Sequence, residues 1–270
     1  MSEAPSFETL DLKVDGPVGI LSLNRPKARN AIDSQMRSDL RDAIDRIASD
    51  LSIRGLVLTG AGSAFCSGGD IKGMQERLDQ GQKVAELGWR RQREFHETLH
   101  KLYNLDRPTV AAVNGSAFGL GLDLALTCDL VFFADTTTVA ANFVRRGLIP
   151  DGGGMFHLPR RVGVSRAKEL IFSGRNVAAE EALAIGLADR VLPADQLLAA
   201  AVDWLKGCAE HPAMAQALAK GVLNRSLEIS FDEVSTLGNQ AQAICYASPE
   251  HQESVRTFLA ERAQAQSAKA

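Results

Sequence analysis

Asp151 is the acid whose setting most invites a chemical role. It stands in the segment GLIPDGGG, residues 147–154, between a proline and three glycines. An aspartate that opens a helix after a turn caps free backbone N–H groups, which is worth about 1 kcal/mol. A carboxylate in the same place can also accept and return a proton. The segment taken alone leaves both roles open.

Two glycine-rich segments would supply hydrogen-bond donors to such a site. They span residues 60–69 and 115–121, and each follows an apolar strand pattern and precedes a helical one. Backbone N–H groups at the start of a helix favour an anion or a developing oxyanion. Turn geometry alone explains one such segment, but two in succession favour a site with paired backbone donors.

Two further motifs match known patterns only in part. The G-x-G at residues 60–62 lacks the third glycine of a dinucleotide-binding fingerprint, because Phe65 stands there. The run HETLH at residues 96–100 matches the zinc pattern H-E-x-x-H, but an Arg-Pro pair at 107–108 and a strand follow where a third ligand is needed. We therefore predict no dinucleotide cofactor and no metal, and we expect solvated or core-edge histidines.

Strand and helix patterns alternate along most of the chain, so the sequence predicts an α/β fold. Apolar runs predict strands at residues 18–23, 56–59, 109–113 and 130–134, and amphipathic patterns predict helices at 32–47, about 84–105 and 122–127. The order strand, glycine loop, helix occurs twice. From residue 197 onward helical patterns take over, so we predict a core over residues 1–196 and a C-terminal helical region over residues 197–270.

The composition excludes several classes of protein. The 270 residues are 45% hydrophobic and 23% charged, with a net charge of −3, which gives no global field for nucleic acid or an anionic membrane. No apolar run is long enough to span a bilayer, and no signal peptide is visible. The four cysteines lie far apart and form no C-x-x-C pair. We expect a cytoplasmic protein without nucleic-acid or membrane partners.

The segments AFCSGGDIK at residues 64–72 and AAVNGSAFGLG at 111–121 resemble motifs of the crotonase superfamily, the enoyl-CoA hydratase/isomerase family. The resemblance runs from LNRPKARNAI at residues 23–32 through GLIPDGGG to the C-terminal helices. It implies a crotonase fold, which is a spiral of ββα repeats with a C-terminal helical region that forms trimers, often paired into hexamers. It also implies an acyl-CoA substrate, no separate cofactor, and chemistry through an enolate of the thioester.

The resemblance also assigns roles to single positions. The thioester oxygen would be held by the backbone N–H groups of Gly69 and Leu120, and a leucine keeps this donor while it changes the shape of the pocket. Arg29 aligns with a ligand of a CoA phosphate, and the backbone around Ala64 and Ile71 would take the adenine. The predicted substrate-binding positions are Arg29, Ala64, Gly68, Asp70, Ile71, Phe95, His96 and Phe143.

The acids distinguish the reactions of this family. Hydratases use two glutamates, and their positions here hold Asp123 and Phe143, so the second acid is lost. Asp151 falls where enoyl-CoA isomerases carry an acid. We expect burial against Phe143 and Leu148 to raise a carboxyl pKa toward a useful range. The favoured reaction is double-bond isomerisation, with Asp151 as the principal proton shuttle and Asp123 as a second acid.

Three alternatives stay open. Asp123 and Asp151 could together hydrate a 2-enoyl-CoA. Aryl-CoA dehalogenases of the family use an acid at the Asp151 position as nucleophile and a histidine at the His96 position to activate water. Some relatives bind RNA through lysine-rich helices without turnover, but the predicted helix at 32–47 mixes arginines with acids, which argues against that role.

Overall fold

Two β-sheets form the centre of the computed structural model, which describes residues 7–78 and 81–267. The strands are β1 (Leu10–Asp15), β2 (Val18–Leu23), β3 (Gly55–Gly60), β4 (Ala64–Cys66), β5 (Thr109–Val113), β6 (Ser116–Phe118), β7 (Leu130–Ala134), β8 (Thr138–Ala140), β9 (Val177–Ala178) and β10 (Arg190–Leu192). The first sheet has the order β1-β2-β3-β5-β7-β10, and the second has the order β4-β6-β8-β9.

Consecutive strands form a repeating unit. In the pairs β3–β4, β5–β6 and β7–β8, the first strand enters the six-stranded sheet and the second enters the four-stranded sheet. Equivalent strands of successive pairs lie parallel, whereas β1 pairs antiparallel with β2, and β8 with β9. Parallel pairing needs a crossover between repeats, and the helices provide it. This arrangement is the spiral of ββα repeats that the sequence predicts.

The α-helices are α1 (Ser34–Ser49), α2 (Ile71–Leu78), α3 (Val84–Tyr103), α4 (Leu120–Leu126), α5 (Gly154–Val162), α6 (Val164–Ser173), α7 (Ala179–Ala184), α8 (Leu197–Ala209), α9 (Ala213–Leu223), α10 (Phe231–Ala247) and α11 (Pro249–Ser267). The predicted apolar stripe of α1 is buried, from Met36 to Ile47. Asp33 caps this helix, because its carboxylate accepts a hydrogen bond from the Met36 N–H. The buried stripe and the cap explain why α1 forms where the periodicity predicts it.

The described chain divides into two compact units after Cys208. The first unit includes nearly all of α8, whose residues Leu197, Ala201 and Leu205 pack with Val110 and Phe132 of the six-stranded sheet. Because α8 buries its apolar face on the sheet, this division falls later than the predicted boundary at residue 196. The second unit contains α9, α10 and α11. Among the described residues, no helix is long and apolar enough to cross a membrane.

Candidate active site

Asp123 is a buried acid on α4, with 1% of its surface exposed. Its Oδ2 atom has no hydrogen-bond partner in the described part of the chain. Burial, and then the charge of Asp151, raise the pKa of Asp123 to about 8, while the backbone N–H groups of Gly154 and Gly152 act in the opposite direction. The raised pKa favours the protonated form of Asp123 at neutral pH.

The glycines of GLIPDGGG let the backbone close over Asp123. A Cβ on Gly154 would lie 2.3 Å from Asp123 Oδ1, and a Cβ on Gly152 would lie 3.0 Å from Asp123 Oδ2 and 2.4 Å from Leu120 Cδ1. Side chains at these two positions would collide with the acid and with the predicted oxyanion residue. The turn that carries Asp151 is thus held directly against α4.

Asp151 directs its carboxylate toward α3. Its Oδ2 accepts a hydrogen bond from Gln92 Nε2 and lies 3.8 Å from His96 Nε2. The side chain of Asp151 is 26% exposed, so one side of the carboxylate remains accessible. Asp151 does not cap the helix that follows it, because the N-cap residue of α5 is Gly153 and no side chain caps this helix. The carboxylate is therefore available for chemistry.

The two predicted oxyanion donors lie where the glycine-rich segments meet. Leu120 is the first residue of α4, so its N–H has no acceptor within the helix. In the first segment, the N–H of Asp70, which follows Gly69, is already used, because it donates to the Ile32 carbonyl at 3.1 Å. A Cβ on Gly68 would lie 2.7 Å from the Phe118 carbonyl oxygen, so only glycine allows this approach of the two segments. The structure brings both donor segments together beside Asp123.

Phe143 lies against the second donor segment. Its side chain is buried, and its Cζ atom lies 3.7 Å from where a Cβ on Gly119 would be. Leu148 is 47% exposed, so of the two side chains predicted to bury a carboxyl only Phe143 is itself buried. Burial raises the pKa of Asp123, because the turn at residues 152–154, here called the glycine turn, closes over that acid.

The residues predicted for CoA lie around β4. Arg29 is exposed, and its carbonyl accepts a hydrogen bond from the Ser67 N–H at 3.0 Å. Ala64 is buried, whereas Ile71 is 60% exposed at the start of α2. Asp70 forms an ion pair with Arg25 at 3.1 Å, which ties the end of this segment to the turn before α1. Their contact with CoA stays a prediction.

The histidines of the HETLH run have separate surroundings. His96 faces Asp151, whereas His100 is exposed and contacts Asn104. Within residues 7–78 and 81–267, no group of three His, Cys, Asp or Glu side chains is placed to hold a metal ion. The run is part of α3, and its first histidine, His96, lies at the acid site, by which we mean Asp123, Asp151 and the side chains around them.

Gln92 and Arg37 are residues of the site that no sequence motif indicates. Arg37 Nη1 donates to Gln92 Oε1 at 3.1 Å, and its guanidinium carbon lies 4.4 Å from the centroid of the Phe95 ring. Gln92 and His96 are four residues apart, which places them on one face of α3. That spacing from His96 is the one local signal that could have indicated Gln92, whereas the contact with Arg37 has no local signal in the sequence.

Comparisons with known proteins cover nearly the whole chain. The model of a family described as enoyl-CoA hydratase/isomerase matches residues 14–268. A probable enoyl-CoA hydratase of Mycobacterium bovis is 34% identical over 258 residues, which is 96% of this chain and 97% of that protein. A short-chain-enoyl-CoA hydratase of Clostridium acetobutylicum is 31% identical over 93% of this chain and 94% of its own length. A solved structure of an enoyl-CoA hydratase/isomerase from Cupriavidus metallidurans has a TM-score of 0.89 and 34% identity over 96% of both chains.

Proposed function

Because the chain belongs to the enoyl-CoA hydratase/isomerase family of enzymes, we propose that it moves a double bond within an enoyl-CoA substrate. The observation that carries this proposal is the pair of unlike acids. Asp123 is buried and protonated, whereas Asp151 is accessible and is held by a donor on α3. Two acids in contrasting environments are suited to separate proton-transfer roles.

The proposed reaction converts a 3-enoyl-CoA into a 2-enoyl-CoA. Asp151 removes a proton from C2, and the electron pair of that C–H bond moves toward the thioester carbonyl. The N–H groups of Gly69 and Leu120 hold the resulting oxyanion, and a donor of this kind is worth about 3 kcal/mol of barrier. Asp151 then returns the proton to C4 as the new double bond forms between C2 and C3.

Asp123 acts as the second acid in this scheme. Since it carries a proton at neutral pH, it adds no second negative charge next to Asp151. Its buried position beneath the turn at residues 152–154 keeps solvent away from the carboxyl group itself. Oδ2 of Asp123, which has no hydrogen-bond partner among the described residues, is the atom that would donate to the dienolate.

Phe143 is the feature that favours isomerisation over hydration. A phenyl ring fills the position where the hydratases of the family place a second glutamate, and it packs beside the donor segment at Gly119. A phenyl group cannot activate water. Isomerisation needs a base and an oxyanion site, and it has no water molecule to position.

Hydration of a 2-enoyl-CoA is the second candidate function. It is favoured by the activity of similar proteins, among them the short-chain-enoyl-CoA hydratase of Clostridium acetobutylicum. In this scheme Asp123 and Asp151 would act together on one water molecule. The two reactions share the oxyanion donors and differ in whether water enters the product.

Three substrates distinguish the reactions. A 3-enoyl-CoA, a 2-enoyl-CoA and a 4-halobenzoyl-CoA are offered to the wild type, Asp123→Asn and Asp151→Asn. We expect the 3-enoyl substrate to gain the absorbance of a conjugated thioester without a change in mass, and this to fail in Asp151→Asn. If the addition of water to the 2-enoyl substrate is the faster reaction, the function is hydration and the proposed isomerisation is wrong. Halide release that depends on Asp151 and His96 would indicate a dehalogenase.

The proposed assembly is a homotrimer or a dimer of trimers. Exposed apolar side chains support it, because Phe231 of α10 is 84% exposed and Phe258 of α11 is 61% exposed in the single chain. Light scattering after size-exclusion chromatography measures the mass directly. A monomer at micromolar concentration would contradict this assembly.

A further inference from the structure

Gln92 lies between a cation and an acid, and this fixes the direction of its amide. Arg37 has only donors to offer, so Gln92 must turn its Oε1 toward Arg37. Its Nε2 then faces Asp151 Oδ2, to which it donates. Either amide orientation would be possible if only one of these partners were present.

Arg37 is itself held in place from two elements. It lies on α1, and its guanidinium covers the buried Phe95 ring of α3 at 4.4 Å. A guanidinium over an aromatic face is attracted by the ring, and flat stacking limits its rotation. The relay from Arg37 through Gln92 to Asp151 therefore joins α1, α3 and the glycine turn.

We infer that Gln92, oriented by Arg37, is the positioning residue of the acid site, and that it leaves Oδ1 of Asp151 as the oxygen that exchanges protons with the substrate. The Oδ2 atom is occupied by Gln92 and faces His96, whereas no hydrogen bond reaches Oδ1 from the described residues. One carboxylate oxygen is thus a structural acceptor and the other is the reactive one. The inference rests on the proposed function, since it deepens the role of the same acid.

The charged and titratable groups around Asp151 come from three directions. Arg91 and His96 face it from α3, Asp123 faces it from α4, and Arg37 acts through Gln92 from α1. Arg91 has a buried Nε atom without a hydrogen-bond partner, and its charge interacts with Asp151. None of these four groups donates a hydrogen bond to the carboxylate, whereas Gln92 does, so the orientation of the carboxylate depends on Gln92.

The test compares Gln92→Met, Arg37→Met and the double variant with the wild type. Methionine keeps the length of glutamine but cannot donate a hydrogen bond. We expect kcat of Gln92→Met to fall about 10- to 100-fold, the effect of losing one hydrogen bond to a charged group, with KM changed less than about twofold. Arg37→Met should cause a smaller fall, and the double variant should match Gln92→Met because the two residues act in series.

Matched controls lie on the same helices. Arg41→Met on α1 removes an exposed side chain that contacts Asp42 and Ser38, and Arg93→Met on α3 removes one that is 67% exposed. Both should retain the wild-type kcat. In Gln92→Glu a second carboxylate meets Asp151, so the acid limb of the pH profile of kcat/KM should move to higher pH. A purely structural role of Gln92 would lower the melting temperature of Gln92→Met and leave its kcat at the wild-type value.

Crystal structures of the wild type and Gln92→Met give a readout that needs no turnover. The Asp151 carboxylate should keep one rotamer in the wild type and leave it, or become disordered, in the variant. An unchanged rotamer in Gln92→Met would overturn the inference even if no enoyl-CoA were turned over. Full kcat in Gln92→Met, in an enzyme that Asp151→Asn inactivates, would overturn the positioning role and leave the proposed function intact.

Discussion

The pH dependence of folding stability tests whether Asp123 carries a proton in the folded protein. Burial and the charge of Asp151 raise its pKa from 3.8 to about 8. Above about pH 4 the unfolded chain holds this carboxyl ionised, whereas the folded protein keeps the proton up to about pH 8. Its contribution to stability is therefore complete below about pH 4 and is lost as the pH rises to about 8.

The expected magnitude follows from proton linkage. One proton released on unfolding lowers the free energy of unfolding by about 1.4 kcal/mol for each pH unit in this window. Asp123→Asn keeps the shape of the side chain and removes the titration. From about pH 5 to about pH 8, the free energy of unfolding of the variant should rise by about 4 kcal/mol relative to that of the wild type.

Urea unfolding at a fixed protein concentration measures this difference, with the fluorescence of the two tryptophans, Trp89 and Trp204, as the signal. The exposed acid Asp42 on α1 provides the control variant Asp42→Asn, whose stability should follow that of the wild type across the pH range. The reasoning would be refuted if Asp123→Asn and the wild type differed by the same amount at every pH.

Three further changes test two contacts of the site and one that holds the end of α1. Gly154→Ala would place a Cβ 2.3 Å from Asp123 Oδ1, so we expect turnover to fall at least about tenfold, whereas Gly207→Ala meets no atom within 4 Å and should leave it unchanged. Full turnover of Gly154→Ala would contradict the close contact. Phe143→Glu should raise the ratio of hydration to isomerisation, measured by product mass, and an unchanged ratio would argue against the role given to the ring. Arg107→Met removes a guanidinium that donates to the carbonyls at the end of α1, and denaturant unfolding should show a loss of about 3 kcal/mol; a loss below about 1 kcal/mol would be contrary to this account.

The long periodic elements of the fold follow from the sequence, and the short ones do not. The strands β2, β5 and β7 lie where their apolar runs predict them, and α1 buries the expected stripe. The strands β4 and β6 lie inside the glycine-rich segments that the sequence suggests are loops. Each has three residues, which is too short for a period to show.

The site was only partly predictable for a related reason. Residue types and motif positions identify Asp123, Asp151 and the two donor segments. They do not show which of the two acids the glycines at residues 152–154 cover. That depends on the turn at residues 152–154 folding onto α4. The relay to Asp151 is also invisible in the sequence, because Arg37 and Gln92 lie 55 residues apart and Gln92 and Asp151 lie 59 apart.

The central claim is that the Asp151 carboxylate carries a proton from C2 to C4 of an enoyl-CoA. A 3-enoyl-CoA with deuterium at C2, offered in ordinary water, tests it when the position of the label in the product is read by NMR. The account predicts product with deuterium at C4 from the wild type, and a rate lower by about a thousandfold in Asp151→Asn. Label transfer at the wild-type rate in Asp151→Asn would contradict it.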